Sequence, residues 1–213
     1  MKELFHLREE YTKGALLESD VPPTPLPLFE KWFDDAVKAD IIEPNTMVLT
    51  TATLQGIPSS RIVLLKEVRK EGFVFFTNYH SRKGRQIEQN PHVSVVFDWH
   101  EAQHQVRIEG VAKKISAQDS DIYFRSRPQS SQIGAWVSPQ SQELTNRQEI
   151  DECLKENIKR FEGKEIPRPP HWGGYLIHPT YIEFWQGRAN RLHDRVVYTL
   201  ESPDNWKISR LAP

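Results

Sequence analysis

The hydrophobic positions of this chain change period several times, and each change marks an element. Phe29, Trp32, Phe33, Ala36 and Val37 recur at helical spacing, which predicts an amphipathic helix with that stripe in the core. Residues 4–13 read as a polar helix ahead of it, across the proline-rich loop Val21-Pro22-Pro23-Thr24-Pro25. From Thr46 the period becomes that of strands, at 46–53, 58–66 and 72–77, with Gly56 and Gly72 in the short connections. A short helix runs from Ser81 to about Gln89, ahead of Pro91, and strands resume at 92–99 and 104–115. Residues 117–126 predict a helix that stops at Arg127-Pro128, and 129–136 a short turn or helix. Residues 146–162 predict a charged helix, closed by the loop of Pro167, Pro169 and Pro170. Strands return at 173–178, 180–185, 195–201 and 206–210. Strands joined by tight turns, with helices grouped between them, predict the α+β class: an antiparallel sheet or barrel with flanking helices.

Composition narrows this picture. A chain of 213 residues fills one core, and 38% hydrophobic residues with six Trp and ten Phe point to a packed globule. Twenty-eight basic against 29 acidic residues leave a net charge of −1, so no overall field favours nucleic acid or a membrane surface, and any anion site must be local. Neither an apolar leader nor a membrane-length apolar window is present, and the single cysteine, Cys153, excludes an internal disulfide; the expectation is a cytoplasmic protein.

Several motifs fail in context. His100-Glu101-Ala102-Gln103-His104 matches a zinc-protease pattern that works only on a helix, yet it lies between two alternating segments with room for a hairpin connection only, so no metal site is expected. The ten glycines never form a dinucleotide fingerprint, and there is neither a Walker loop nor a nucleophile elbow. Cys153 has no visible partner in its charged helix.

Four stretches carry candidate chemistry. In Trp185-Gln186-Gly187-Arg188-Ala189-Asn190-Arg191-Leu192-His193-Asp194-Arg195, an extended backbone would turn Arg191, His193 and Arg195 to one face behind a tryptophan, which suits a planar anion, although a solvent-facing edge strand would show the same alternation. After the strand that delivers Thr77, Ser81 is a good helix N-cap, and Arg82 and Lys83 fall in the first turn, where the macrodipole disfavours cations by about 0.3–1 kcal/mol each. A bound phosphate would reverse that sign. In Arg61-Ile62-Val63-Leu64-Leu65-Lys66, Arg61 and Lys66 fall on opposite faces unless a bulge or strand end intervenes. Tyr123 and Arg127, four apart with Ser131 close behind, make a second candidate anion site if their helix reaches that far, and an exposed Tyr–Arg pair otherwise.

Taken in order, these segments resemble the pyridoxine (pyridoxamine) 5′-phosphate oxidase family over nearly the whole chain. The resemblance rests on Arg8 to Gly14, Arg61 to Lys66, Phe76-Thr77 with Ser81-Arg82-Lys83, Tyr123 to Pro128, Ser131 to Ser138 and Gln140-Ser141. It continues through Trp172-Gly173-Gly174, Glu183 to Gly187, Arg191 to Arg195 and Arg210-Leu211-Ala212-Pro213. The one departure is Phe76, where an aromatic with a hydroxyl also occurs in the family.

The resemblance implies a split-barrel FMN-binding fold, with a mobile N-terminal segment over residues 1–20 and a single domain over 21–213. It implies a homodimer that oxidises pyridoxamine or pyridoxine 5′-phosphate to pyridoxal 5′-phosphate with O2. FMN contacts would come from Arg61, Ile62, Val63, Leu64, Leu65, Lys66, Phe76, Thr77, Ser81, Arg82 and Lys83, completed by Gln105, Gln140, Ser141, Trp185 and Arg195. Substrate contacts would come from Lys66, Tyr123, Arg127, Ser131, Arg191, Leu192 and His193, with Arg8, Glu9, Glu10 and Tyr11 as a cover. Arg191 and His193 would act at the reacting carbon. A same-fold flavin oxidase for another aromatic ring, or a non-enzymatic binder of FMN or pyridoxal phosphate, would share much of this pattern.

Overall fold

The computed structural model describes residues 10–213. Helix α1 (Pro25–Lys38) opens with proline in its first turn, where the missing N–H costs nothing. It buries Phe29, Trp32 and Ala36 as its stripe predicts, and Leu28 besides, but Phe33 is half-buried and Val37 lies on the solvent side, 51% exposed. The polar helix expected at 4–13 lies largely outside the described residues, and Glu10–Lys13 are not helical. Leu16, three residues on, is buried in the main core.

Nine strands form one antiparallel sheet: β1 (Thr46–Ala52), β2 (Pro58–Leu64), β3 (Glu67–Arg69), β4 (Gly72–Asn78), β5 (His92–Trp99), β6 (His104–Lys114), β7 (Trp172–Gln186), β8 (Asp194–Ser202) and β9 (Asn205–Arg210). The order runs β2-β1-β5-β6-β7-β4-β3, with β8 and β9 continuing from β7. The two C-terminal strands expected at 173–178 and 180–185 are one long strand. Along one edge β7 pairs with β4 through residues 172–177, then with β8 through 181–186, and it changes neighbour around Pro179, which has no N–H to give a ladder. That change splits the sheet into two curled parts. Strand β3 escapes a periodicity reading because three residues show no alternation.

Gly72 (φ +142°) closes the β3–β4 turn where a Cβ would lie 1.9 Å from the Ile177 carbonyl oxygen. The H-E-x-x-H stretch forms the turn His100–Ala102, ended by left-handed Gln103, so its two histidines do not share a helix face. Phe29 packs edge-on against Phe73 and Phe97, and with Trp99 these rings fill the space between α1 and the sheet.

Helix α2 (Arg82–Gln89) follows β4. Helices α3 (Ala117–Ser126), α4 (Gln129–Val137) and α5 (Gln148–Phe161) come between β6 and β7. They build a second small core of Phe124, Ile133, Val137, Phe161, Ile166 and Trp172. The open mouth between that core and the end of β2 is where the candidate site begins. No described helix is long and apolar enough to cross a membrane.

Candidate functional site

A cavity of about 430 Å³ opens between the end of β2, the β4 strand, the start of α2 and the helices α3 and α4. Strand β2 stops at Leu64, so the chain turns out of its ladder and Lys66 reaches the same cavity that Ile62 and Leu64 line. The strand end brings Lys66 to the cavity but not Arg61, whose guanidinium turns to Leu49, Thr51 and Ser59 behind it. At the start of α2, Ser81 Oγ accepts the Gly84 N–H at 3.2 Å and caps the helix. Its buried hydroxyl is thereby engaged. Gly84 is required here, because a Cβ would lie 2.1 Å from the Tyr79 carbonyl oxygen. The helix starts at Arg82, which puts Arg82 and Lys83 in the first turn, beside backbone N–H groups that have no intrahelical acceptor.

The electrostatics of this end are one-sided. Lys83 is 9% exposed, and among the described residues its ammonium donates only to Thr77 Oγ1 and Gln140 Oε1, each at 3.2 Å. Burial, and then the neighbouring Arg61, push it down to about 8. Arg61 donates to the Leu49 carbonyl, to Thr51 Oγ1 and to Ser59 Oγ, all neutral oxygens. Burial and the repulsion of Arg82 hold its guanidinium below its ordinary value. On the opposite wall Phe76 stacks on Tyr123 at 3.9 Å between centroids, and on Trp172 at 5.4 Å. Arg127, in the capping position just past α3, lies over the Trp172 ring at 4.5 Å, and its Nη1 is buried with no hydrogen-bond partner among the described residues. Burial lowers its pKa as well. Lys66, Lys83 and Arg127 line the cavity, with Arg61 beside Lys83 and Arg82 exposed at the start of α2, and none has a carboxylate among its hydrogen-bond partners in the described residues, so the arrangement fits a phosphorylated ligand.

Of the expected residues, the cavity gathers Ile62, Val63, Leu64, Lys66, Phe76, Thr77, Lys83, Tyr123, Arg127, Ser131 and Gln140. Leu65 turns into the core, 5% exposed, and Ser141 is exposed with φ +69°. Asn78, Ser138 and Trp172 also line it and were not anticipated. Asn78 and Trp172 are ladder partners across β4 and β7, a proximity that only strand register reveals.

A second group lies at the far end of β7. Trp185 sits opposite Gln105 on β6 and opposite Arg195 on β8. From Gly174, opposite Phe76, to Trp185 is eleven residues of strand, about 35 Å at the usual rise. Here the cations are matched. Arg195 Nε donates to Glu183 Oε1 at 2.8 Å, Arg107 Nη1 to Glu183 Oε2 at 3.1 Å, and Arg188 Nη1 to Asp194 Oδ2 at 2.8 Å. Burial would raise the Glu183 carboxyl, but Arg195 and Arg107 outweigh it and keep it below its ordinary value.

The alternation expected for Arg191, His193 and Arg195 fails. Ala189–Arg191 form a tight turn with Asn190 and Arg191 at φ +57° and +60°, and β8 begins only at Asp194, so no extended strand carries the first two. What survives is proximity. The His193 ring lies 4.6 Å from Trp185, and Nδ1 accepts the Arg188 backbone N–H at 3.1 Å, which leaves the neutral ring with its proton on Nε2. Arg191 and Leu192 are exposed. Tyr11 packs edge-on against both Trp185 and His193, at 5.6 and 5.5 Å, and Glu10 is exposed beside it. Arg8 and Glu9 lie outside the described residues.

Comparison with known proteins assigns both ends of the chain. Residues 33–151 match the family model described as pyridoxamine 5′-phosphate oxidase, and 172–213 match the pyridoxine 5′-phosphate oxidase C-terminal dimerisation region. A protein of Polynucleobacter asymbioticus called pyridoxine/pyridoxamine 5′-phosphate oxidase is 53% identical over 213 residues, covering all of both chains. Its namesake from Bacteroides thetaiotaomicron is 49% identical over the same span. Among solved structures, PhzG from Burkholderia lata in complex with tetrahydrophenazine-1-carboxylic acid is 31% identical with a TM-score of 0.87, over 93% of this chain and 98% of that one. An FMN-binding protein of Nostoc punctiforme, 16% identical, shares the fold at a TM-score of 0.69 over 87% of this chain and 97% of its own.

Proposed function

We propose a division of labour among the residues above, from one premise: the chain belongs to the pyridoxamine 5′-phosphate oxidase family. It is an FMN-dependent oxidase, a homodimer, that converts pyridoxamine or pyridoxine 5′-phosphate to pyridoxal 5′-phosphate in vitamin B6 salvage. O2 is reduced to H2O2, and with the amine substrate one water is consumed and ammonia released. The observation that carries the assignment of residues is the set of cations at the first cavity with only neutral partners.

Arg61, Arg82 and Lys83, with Thr77 and the first-turn amides of α2, take the flavin phosphate. Gln140 already holds Lys83 and Thr77 in place. The segment Arg61–Lys66 and Phe76 flank the ring system, and Ser81 and Ser141 complete the phosphate end. Arg127, Tyr123, Ser131 and Lys66 take the substrate phosphate. Arg127 is the anchor, since its buried Nη1 has no other partner among the described residues.

Bound FMN supplies the two-electron sink, and the protein supplies binding and orientation. His193, neutral and protonated on Nε2, and Arg191 beside it orient the substituent at the reacting carbon from the opposite side. Trp185, Gln105 and Arg195 complete the flavin site, and Leu192 borders the substrate. Because about 35 Å of β7 separates these residues from the cavity within one chain, the second group reaches the first across the dimer, each site taking one end from each subunit. Of the expected cover, Glu10 and Tyr11 lie among the described residues and border the substrate, while Leu16 is buried and bonded to Asp194, so the expected mobile span does not extend through it; residues 21–213 are one FMN-binding domain. The Tyr11 contacts with Trp185 and His193 support that cover. The single Cys153 supports a cytoplasmic location.

PhzG holds a phenazine acid on the same scaffold. The unpartnered Arg127 favours a phosphorylated substrate for this chain instead. Turnover of pyridoxamine 5′-phosphate with peroxide detection tests the activity, and chromatography of the heat-released flavin tests the cofactor. Peroxide production with FMN released is the expected result; a majority of FAD, or flavin without turnover, overturns the reading.

A further inference from the structure

The loop between β7 and β8, residues 187–193, has a single backbone hydrogen bond within it, from the Leu192 N–H to the Ala189 carbonyl at 3.2 Å. It turns through two consecutive left-handed residues, Asn190 and Arg191, which non-glycine residues adopt only when their surroundings hold them there. Its exposed side carries Arg191 and Leu192. What fixes it comes from outside. Asp194 Oδ2 accepts the Leu16 backbone N–H at 3.0 Å and Arg188 Nη1 at 2.8 Å, and Oδ1 accepts Arg210 Nη1 at 2.9 Å. Each donor belongs to a different segment: the N-terminal stretch anchored by buried Leu16, the loop itself, and the last strand β9. Arg210 closes the circuit, donating to Glu18 Oε1 at 2.9 Å and to the Leu16 carbonyl at 2.8 Å.

Arg188 is the link that matters for the chemistry. Its guanidinium is held by Asp194, while its backbone N–H donates to His193 Nδ1. The same N-terminal stretch carries Tyr11, seated so closely on Gly187 that a Cβ there would lie 2.8 Å from the ring. One carboxylate therefore ties together the backbone that orients His193 and the segment that packs over it.

We propose that Asp194 is a positioning residue for the oxidation: through Arg188 and Leu16 it holds the 187–193 loop so that His193 keeps its orientation toward the substrate. This rests on the role given to His193 above. A purely structural brace of the β8–β9 edge would make the same contacts, so the test must read coupling to His193 rather than damage alone.

The experiment is a double-mutant cycle on the flavin-loaded enzyme with pyridoxamine 5′-phosphate, using Asp194→Asn and His193→Asn. Asp194→Asn lowers kcat about tenfold with KM within about twofold, the split expected when orientation at the reacting centre is lost. In the His193→Asn background the same substitution costs less than about twofold. An equal loss in both backgrounds, or no loss in either, overturns the proposal. If Asp194→Asn does not fold, Arg188→Met carries the same cycle with the same criteria, since it leaves Asp194 tied to Leu16 and Arg210. If His193→Asn alone leaves kcat unchanged, the role of His193 falls first and the role of Asp194 with it.

Discussion

The two ends of β7 carry similar numbers of cations and put them to opposite uses. At the α2 end Lys83 and Arg61 are held by hydroxyls, amides and carbonyls, and Arg127 keeps a buried N–H without a partner among the described residues. At the β8 end Arg195, Arg107, Arg188 and Arg210 are each engaged by Glu183 or Asp194. A cation already matched by a carboxylate has less unsatisfied charge to offer a ligand than one held only by neutral groups. Counting basic residues along the chain does not separate the two, but the identity of their partners does.

The largest effect should come from deleting the unmatched charge. Arg61→Ala combined with Lys83→Ala removes two phosphate contacts worth about 1.5–3 kcal/mol each, so FMN affinity falls by at least about 100-fold in fluorescence titration. An affinity within about tenfold of wild type would mean that these cations are not the phosphate site.

Next in size, Arg127→Ala raises KM for pyridoxamine 5′-phosphate by about tenfold or more with kcat within about threefold, because a remote phosphate is held alike in ground and transition states. An unchanged KM with a collapsed kcat would reverse the roles given to the two ends.

The contrast also predicts opposite stability changes in the flavin-free protein. Arg195→Met leaves Glu183, itself 1% exposed, with Arg107 as its only cationic partner, and destabilises by about 1–3 kcal/mol in chemical denaturation. Lys83→Met removes a charge that burial penalises, and leaves stability unchanged or raised. Destabilisation by both would erase the distinction.

The smallest effect is in pH. With its pKa pushed down to about 8, Lys83 loses its charge as pH rises through that value, so FMN affinity declines above it. Stability of the flavin-free protein moves the other way. The folded value lies below the unfolded one near 10.4, so between the two the unfolded chain binds more protons and stability rises with pH. Lys83→Met should flatten both slopes, by affinity titration and by denaturation across pH 7–10.

The regular parts of the fold were legible wherever a period ran long enough to count. Strands β1, β2, β4, β5 and β6, helix α1 and the Ser81 cap follow from spacing and capping chemistry. Spacing failed where it had to assume a backbone. The same-face alignment of Arg191, His193 and Arg195 presupposed an extended chain, and the left-handed turn at Asn190 and Arg191 removed it. Val37 joined the stripe on hydrophobicity alone, and faces solvent because nothing covers that side of α1. Trp172 and Asn78 were invisible as site residues, since only the β4–β7 register brings them together. Which cations are matched was also beyond the sequence, because Glu183 and Asp194 meet their arginines through folding.

The central claim is that the two unlike ends meet only between two chains, and mixing two crippled subunits tests it most directly. Lys83→Ala disables the phosphate end and His193→Asn the orienting end, so each homodimer alone is expected to be nearly inactive. Refolded together in equal amounts, random pairing makes half the dimers mixed, each with one intact site, and activity should return to about one quarter of wild type. Mixed dimers, verified by differential tags, that recover nothing would show that each chain builds its site alone and would contradict the account.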